Sequence, residues 1–348
     1  MHPLYPPGPA TAVYDWDLGD GQCLHLEECG RPDGVPVVFL HGGPGAGCRP
    51  EHGRYFDPAY YRVLLLDQRG SGRSTPAGYT THNDTRLLVA DLEWVRGRLG
   101  IDRWLLFGGS WGATLALVYA ETHPAAVLGL ILRGTFLGRQ RDLDWFFGPD
   151  GVARLLPDAW QAFRDLVPPA QRADLIAGYH ALVHGADQPA AMDAARAWSR
   201  WGEQVMTWGG PPWPAPSAEP LAAEPVLAPI LAKVRIETHY ACARYFLEED
   251  EILRRAKRLP RVPISIVHGR RDLVCPLDGA WVLHQAVPGA RLVVVEAGHL
   301  ISEPGMIEAL VGETERLRAD LGSLSLSDYD NDNDNGAPAR RTTAAVSE

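Results

Sequence analysis

The stretch Trp104-Leu105-Leu106-Phe107-Gly108-Gly109-Ser110-Trp111-Gly112 decides the fold of this 348-residue chain. It begins with a short apolar run that is typical of a buried strand, and a helical pattern at residues 113–120 follows it directly. Glycines flank Ser110 on both sides, and glycine permits the tight turn between a strand and a helix. The stretch therefore predicts one strand-turn-helix unit of an α/β protein.

Five other apolar runs indicate the rest of the sheet. Each is short, rich in leucine or β-branched residues, and followed by a turn and a helical pattern. Continuous apolar strands are buried on both faces, as in a parallel sheet with helices on both sides. The runs are residues 36–40, 62–66, 127–132, 264–267 and 291–295. We therefore expect a mostly parallel central sheet with helices on both faces.

The long stretch at 136–257 predicts an inserted, all-helical cap, because it has helix-like periodicity and no strand signal. The α/β core is accordingly expected in two parts, residues 1–135 and 258–322. Inside the cap, the proline-rich residues 209–216 interrupt the helical pattern, since proline lacks an amide hydrogen and clashes with the preceding turn. The polar residues 323–348 predict a disordered tail.

The composition excludes several classes of partner. The chain is 46% hydrophobic and carries 33 Lys+Arg against 43 Asp+Glu, with no basic block that would bind nucleic acid. No apolar run is long enough to cross a bilayer and no signal-peptide pattern begins the chain, so we expect a cytoplasmic protein without a membrane partner. Its 5 cysteines form no CxxC pair and its 12 histidines no HExxH motif, so no metal or cofactor is expected. The composition does not determine the oligomeric state.

The glycine-flanked Ser110 is the predicted nucleophile. A Gly-x-Ser-x-Gly motif between a strand and a helix is a nucleophile elbow, which holds the serine hydroxyl clear of the sheet. Because a serine hydroxyl is a weak nucleophile at neutral pH, it needs a base and a group that orients the base. Asp272 and His299 each follow a predicted strand, and the order Ser110, Asp272, His299 is that of α/β-hydrolase triads. For His41 and His268, which precede glycines, a packed and hydrogen-bonded ring is expected instead.

The run His41-Gly42-Gly43-Pro44-Gly45 follows a predicted strand and predicts an oxyanion loop. Its backbone amides, with that of Trp111 directly after the nucleophile, are the expected donors to the intermediate's oxyanion. Gly43 is the predicted donor within the loop. A phosphate cradle is the alternative for a glycine-rich turn, but neither GxGxxG nor GxxxxGK[ST] is present.

Taken together, these motifs resemble the proline iminopeptidase family of serine hydrolases. The resemblance extends from about residue 4 to about residue 320. The motifs that carry it are HGGPG at 41–45, DQRGSGRS at 67–74, GGSWG at 108–112, GRRD at 269–272, GH at 298–299 and SEPG at 302–305. It implies an α/β-hydrolase fold and release of N-terminal proline from peptides through an acyl-enzyme, without a metal or cofactor.

The resemblance also implies substrate-binding residues in and beside the cap. Family members bind the free amino group with two cap glutamates and the proline ring in a small apolar pocket. The segment at 235–240 matches one of these glutamates to Glu237. The positions that match the pocket hold Phe136, Phe146, Val274 and Cys275, with Phe146 where a tyrosine is common.

The second glutamate departs from the family pattern. The family has Trp-Ser-x-Trp-Glu, whereas this chain has Gly202 at the last position and Glu203 after it. One residue along a helix is a rotation of about 100°. Glu203 therefore either still reaches the amino group or is a solvated helix residue, and both interpretations stay open.

Three functions are compatible with these residues. The first is a serine aminopeptidase that removes N-terminal proline or a similar small residue. The second keeps the triad in an amidase or esterase adapted to a specialised small molecule, as Gly202 and Phe146 suggest. The third is a non-catalytic binding protein, which a complete set of catalytic motifs disfavours.

Overall fold

The computed structural model of the chain describes residues 2–208 and 229–323. Residues 209–216, for which we expect a loop, and residues 324–348, within the expected tail, lie outside these ranges. A single sheet of eight strands runs through the structure. The strands are β1 Ala10–Asp17, β2 Cys23–Gly30, β3 Val35–Leu40, β4 Tyr61–Asp67, β5 Trp104–Gly109, β6 Val127–Arg133, β7 Ile264–Gly269 and β8 Arg291–Val295.

The order of the strands in the sheet is β1-β2-β4-β3-β5-β6-β7-β8. The first two strands pair antiparallel, and β2 also pairs antiparallel with β4. All other neighbours are parallel. The carboxyl ends of β3 to β8 therefore meet at one edge of the sheet, where loops from different strands build a common site.

The six predicted strands are confirmed, and five of them are buried as predicted; β8, at the edge of the sheet, is exposed at its first residue and half-buried at the other four. In β3, Val38 and Leu40 pack into the core on one face of the sheet, whereas Val37 and Phe39 pack into the core on the other. Successive side chains of a strand point to opposite faces, so a strand covered on both sides must be apolar throughout.

Strands β1 and β2 are absent from the sequence prediction. Exposed and half-buried residues alternate along β1, as expected for a strand at the edge of a sheet with one face in solvent. A search for continuous apolar runs does not detect such a strand.

Helices cover both faces of the sheet and form the cap. The helices are α1 Thr85–Arg98, α2 Trp111–Thr122, α3 Gln140–Phe147, α4 Pro157–Leu166, α5 Leu175–Val183, α6 Gln188–Met206, α7 Pro229–Cys242, α8 Glu251–Arg255, α9 Leu277–Ala286 and α10 Pro304–Ser323. Helices α1, α2 and α9 pack on one face of the sheet and α10 on the other. Helices α4 to α7 share a separate apolar core. Within the described ranges, no helix is long and apolar enough to cross a membrane.

Local sequence signals fix where several helices begin. Asp84, Asp174 and Asp187 precede α1, α5 and α6, and each carboxylate accepts a hydrogen bond from an amide of the first helical turn. This capping satisfies amides that have no acceptor within the helix.

Helix α2 approaches the sheet closely at Gly112. A Cβ atom at this position would collide with the carbonyl oxygen of Leu40, the last residue of β3. The absence of a side chain therefore brings the start of α2 against the end of β3.

We predict that Gly112→Ala lowers the free energy of unfolding by about 2 kcal/mol or more, because backbone atoms must move to make room. Chemical denaturation followed by circular dichroism measures the change. Gly202→Ala in α6 is the matched control, since no atom lies within 4 Å of its Cβ position. That variant should be neutral or more stable, as alanine favours helix. Equal effects of the two substitutions would contradict the prediction.

Glu121, near the end of α2, is a buried carboxyl group without a hydrogen-bond partner among the described residues. Burial raises its pKa from 4.5 to about 8, and nearby Glu251 adds to this, while Arg255, Arg258 and Arg86 oppose it. The folded protein therefore holds a proton on Glu121 at pH values where the unfolded chain has released it.

Stability should consequently fall as the pH rises from about 4.5 to about 8, because folding then requires proton uptake. Glu121→Gln removes this requirement. We expect the variant to gain about 3 kcal/mol more unfolding free energy at pH 8 than at pH 5, relative to the parent chain. Urea titrations at both pH values measure the difference, with Glu51→Gln as a substitution of an exposed glutamate. The same gain at both pH values would show that Glu121 is ionised in the folded state.

Candidate active site

Ser110 occupies the turn between β5 and α2 in a strained backbone conformation. Its φ and ψ angles are 56° and −123°, a region that residues with side chains rarely adopt and that costs on the order of 1–3 kcal/mol. Its amide donates to the carbonyl oxygen of Arg133 at 2.8 Å, which ties the turn to β6. A side chain at Gly108 would collide with the carbonyl group of Gly112. The glycines therefore permit the turn that presents the Ser110 hydroxyl to a cavity.

Asp272 and His299 meet in the loops that follow β7 and β8. His299 Nδ1 lies 2.8 Å from Asp272 Oδ2, and both residues are buried. The other carboxylate oxygen accepts hydrogen bonds from the amides of Val274 and Cys275 at 3.0 and 2.9 Å. Burial opposes ionisation of Asp272, but His299, His268 and these hydrogen bonds outweigh it and lower the pKa of the carboxyl group. An ionised Asp272 favours a proton on Nδ1, so that Nε2 is the nitrogen that can act as a base.

Arg133, which no sequence motif indicated, lies between Ser110 and the Asp272–His299 pair. As the last residue of β6, it is placed between the strand that leads to Ser110 and the strand that leads to Asp272. Its Nη1 donates to the His299 carbonyl oxygen at 2.9 Å and lies 3.4 Å from His299 Nε2. Burial lowers its pKa. The only signal in the sequence is a charged residue at the end of an apolar run.

Gly134 is a second residue that the sequence analysis missed. Its φ is +53°, and a Cβ atom there would lie 3.1 Å from His299 Cε1 and 3.3 Å from Asp272 Oδ2. Any side chain would therefore press on both partners of the hydrogen-bonded pair. Glycine at this position lets His299 and Asp272 approach β6.

The remaining histidines near the sheet are structural, as expected. His268 Nδ1 accepts from the amide of Thr135 at 3.2 Å, and its Nε2 lies 2.7 Å from the carbonyl oxygen of Cys275. His41 contacts the Gly42 carbonyl oxygen through Nδ1, while Nε2 accepts from the Gln68 amide at 3.1 Å. Both rings use both nitrogens within the fold.

The glycine loop after β3 lies directly beside the elbow. A Cβ atom at Gly42 would be 3.3 Å from the Cβ atom of Ser110, so the two backbones are in close contact. Gln68 links the two segments: its side-chain amide donates to the His41 carbonyl oxygen at 3.0 Å, and its Oε1 accepts from Trp111 Nε1 at 2.9 Å. Trp111 begins α2, where backbone amides have no acceptor within the helix.

A cavity of about 480 Å³ opens above Ser110 and His299. All four predicted pocket residues line it: Phe136, Phe146, Val274 and Cys275. Aromatic side chains that the sequence analysis did not select also contribute, namely Phe147, Trp198 and Tyr245. One part of the cavity is therefore an apolar, largely aromatic pocket beside the serine.

Glu237 is an acidic group of this cavity that two other side chains hold in place. Its carboxylate accepts from Trp198 Nε1 at 3.0 Å and lies 3.5 Å from Lys233 Nζ, one helical turn earlier on α7. Burial raises the pKa of Glu237, and Lys233 opposes this shift. The sequence analysis did not select Lys233, because an ion pair within one helix is common on protein surfaces and gives no sign of a cavity.

Gly202 and Glu203 both line the cavity from α6. Gly202 leaves open space where the family pattern has a carboxylate, since no atom lies within 4 Å of its Cβ position. Glu203 is half-buried and has no ion-pair partner among the residues that the structure describes. The glutamate that follows the glycine thus remains at the cavity.

No group of three or more metal-ligating side chains comes together in the described part of the chain. The groups that line the cavity or adjoin it include a serine hydroxyl, a paired imidazole, backbone amides and carboxylates. That set is suited to acyl transfer.

Comparisons with known proteins show which family the chain resembles. Residues 35–305 match the family described as alpha/beta hydrolase fold. The chain is 43% identical over 324 residues to a probable proline iminopeptidase from Leptolyngbya boryana, which covers 92% of this chain and 98% of the relative. It is 46% identical over 323 residues to a proline iminopeptidase from Xylella fastidiosa (strain Temecula1), with coverages of 90% and 99%.

The crystal structure of the esterase RhEst1 from Rhodococcus sp. ECU1013 is similar in fold alone. Its TM-score is 0.53 at 18% identity, and the match covers 90% of this chain and 99% of that chain. Fold similarity alone does not identify a family. Because the identity to the two proline iminopeptidases is substantial over nearly their whole length, the chain belongs to the proline iminopeptidase family of enzymes with the α/β-hydrolase fold.

Proposed function

We propose that this enzyme releases N-terminal proline, or a similar small residue, from peptides through an acyl-enzyme on Ser110. The observation that carries the proposal is the cavity itself, in which Glu237 and Glu203 lie near an aromatic pocket beside Ser110 and His299. A substrate with a free ammonium group and a compact apolar ring is complementary to such a cavity, because a partly buried cation requires carboxylates nearby.

In the proposed acylation step, Ser110 Oγ attacks the carbonyl carbon of the N-terminal residue while His299 Nε2 takes the hydroxyl proton. This transfer requires Oγ to come within hydrogen-bond reach of Nε2 when the substrate binds. Asp272 stabilises the imidazolium, and the amides of Gly43 and Trp111 donate to the oxyanion. The intermediate collapses as the carbon–nitrogen bond breaks, and the proton on Nε2 passes to the leaving amine.

Deacylation repeats these steps with water. His299 Nε2 takes a proton from the water molecule, the resulting oxygen bonds to the acyl carbon, and the bond to Ser110 Oγ breaks. The proton returns to Oγ, and the free amino acid leaves. The net reaction is hydrolysis of one amide bond, which consumes one water molecule and needs no redox partner.

In this proposal, the core contributes the catalytic groups and the cap contributes most of the substrate-binding groups. The core segments 1–135 and 258–322 contribute the catalytic groups and the oxyanion loop. The proposed cap, residues 136–257, contributes most of the groups that select the substrate, including Glu237, Glu203 and Phe146. Specificity can then change in the cap while the catalytic groups stay in place.

The second candidate function is an amidase or esterase for a specialised small molecule. The contact between Lys233 and Glu237 favours it, since a carboxylate already paired with an ammonium group attracts a second ammonium group less strongly. Gly202 and Phe146 also differ from the family pattern of glutamate and tyrosine at these positions. They therefore change the space and the hydrogen-bonding groups that the substrate contacts.

Ser110→Ala should lower kcat on any substrate of this enzyme by several orders of magnitude while leaving the fold intact, because only the nucleophile is lost. The kcat of both chains for L-proline β-naphthylamide and the thermal unfolding of both test this. The parent chain should also react with a fluorophosphonate probe at Ser110. Near-normal turnover by the variant would exclude Ser110 as the nucleophile, and failure of the probe to react would favour a non-catalytic binding protein.

Glu237→Gln separates the two candidate functions. An aminopeptidase should lose about 100-fold in kcat/KM for L-proline β-naphthylamide, because a buried charge-assisted contact to the ammonium group is removed. N-acetyl-proline β-naphthylamide, which lacks that charge, and p-nitrophenyl acetate are the comparison substrates. Alanine β-naphthylamide tests the requirement for the ring, and Glu203→Gln tests whether the second carboxylate contributes. Ester cleavage without amide cleavage by the parent chain would favour the esterase.

A further inference from the structure

Three charged side chains of the active-site cavity have no ion-pair partner among the described residues. The charged residues that line the cavity are Arg49, Arg133, Asp142, Glu203, Lys233 and Glu237. Asp142 pairs with Arg139, Lys233 with Glu237, and Arg133 donates to a backbone carbonyl group. The charges left without a partner are those of Glu203 and Arg49, which have opposite signs.

Arg49 lies four residues after the end of the predicted oxyanion loop and is exposed to solvent. Its amide donates to His52 Nδ1 at 3.1 Å, and the His52 ring stacks on Phe39 at a centroid distance of 4.3 Å. Burial, followed by the charge of Arg49, lowers the pKa of His52 to about 3. The guanidinium group therefore lies near the His52 ring, and His52 and Phe39 line the same cavity.

The segment that follows Arg49 is attached to the chain just beyond His299. The Tyr55 hydroxyl donates to the carbonyl oxygen of Ile301 at 2.8 Å. Leu300 and Ile301 also line the cavity. Arg49 is thus on the rim between the oxyanion loop and the loop that carries His299.

This rim faces the leaving group in the proposed reaction. His299 must donate a proton to the leaving amine, so the residue that departs has to lie on the His299 side of the scissile bond. The acyl residue is the one that we propose binds to Glu237 and the aromatic pocket, which line the same cavity. The leaving residue then extends away from these groups, and Arg49 is an exposed cation at this cavity, without an ion-pair partner in the described ranges, that can meet a group on it.

We infer that Arg49 is a specificity-determining residue that binds a carboxylate on the leaving residue, so that the enzyme favours proline dipeptides. A dipeptide is a zwitterion whose ammonium and carboxylate groups match the carboxylates and the guanidinium group of this cavity. An arginine suits this role because its planar guanidinium group donates two parallel hydrogen bonds to a carboxylate. An acidic side chain directly after the proline offers the same chemistry. The inference rests on the proposed function.

The test compares matched substrates that differ by one carboxylate. Pro-Gly against Pro-Gly amide isolates the terminal carboxylate, and Pro-Glu amide against Pro-Gln amide isolates a side-chain carboxylate. For each pair we define a ratio, namely kcat/KM for the substrate with the carboxylate divided by kcat/KM for the substrate without it. For at least one pair this ratio should be about ten, and added salt should reduce it. Arg49→Gln should bring that ratio close to one, while Arg49→Lys should retain part of it.

Arg154→Gln is the matched control, because Arg154 is an exposed arginine of the cap that does not line the cavity. It should leave both ratios unchanged. The amide substrate of each pair reports whether each variant retains a folded, active site. Ratios that Arg49→Gln does not change, in an enzyme that cleaves proline amides, would overturn this inference alone. Failure of the parent chain to cleave any N-terminal proline substrate would overturn the proposed function and this inference with it.

Discussion

The site depends on the close approach of helix α2 to strand β3 at Gly112, where no side chain separates the helix from the Leu40 carbonyl oxygen. Because the helix begins there, the Ser110 turn and the glycine loop after β3 lie side by side. Gln68 then joins the loop to Trp111 through two hydrogen bonds. The proposed nucleophile and the proposed oxyanion donors thus lie side by side because of backbone packing.

Two strands, β6 and β7, separate the strand that leads to the serine from the strand that leads to the histidine proposed to activate it. Strand β6 lies between β5 and β7, and its last residue and the next one, Arg133 and Gly134, fill the space between Ser110 and the Asp272–His299 pair. Gly134 gives the pair room to approach. Arg133 supports the His299 backbone and lies near its Nε2, so a cation is close to the base in the free enzyme.

Charge in the cavity is distributed unevenly, and this distribution underlies both proposals on specificity. Glu237 is held by Trp198 and Lys233, whereas Glu203 and Arg49 have no ion-pair partner in the described part of the chain. The carboxylates come from cap helices, and Arg49 comes from a core loop. A substrate that pairs with both Glu203 and Arg49 must contact the cap and the core at once.

The sequence by itself determined strands β3 to β8, the turn at Ser110 and the order of the three proposed catalytic residues. Continuous apolar runs and glycine turns are local properties that leave a local pattern. It did not reveal the edge strand β1, whose burial alternates, its neighbour β2, which is not a continuous apolar run, or the positions of Arg133, Lys233 and Arg49 at the site. Only the tertiary structure decided these, because a side chain's partners come from segments that are distant in sequence and meet only when strands and helices pack.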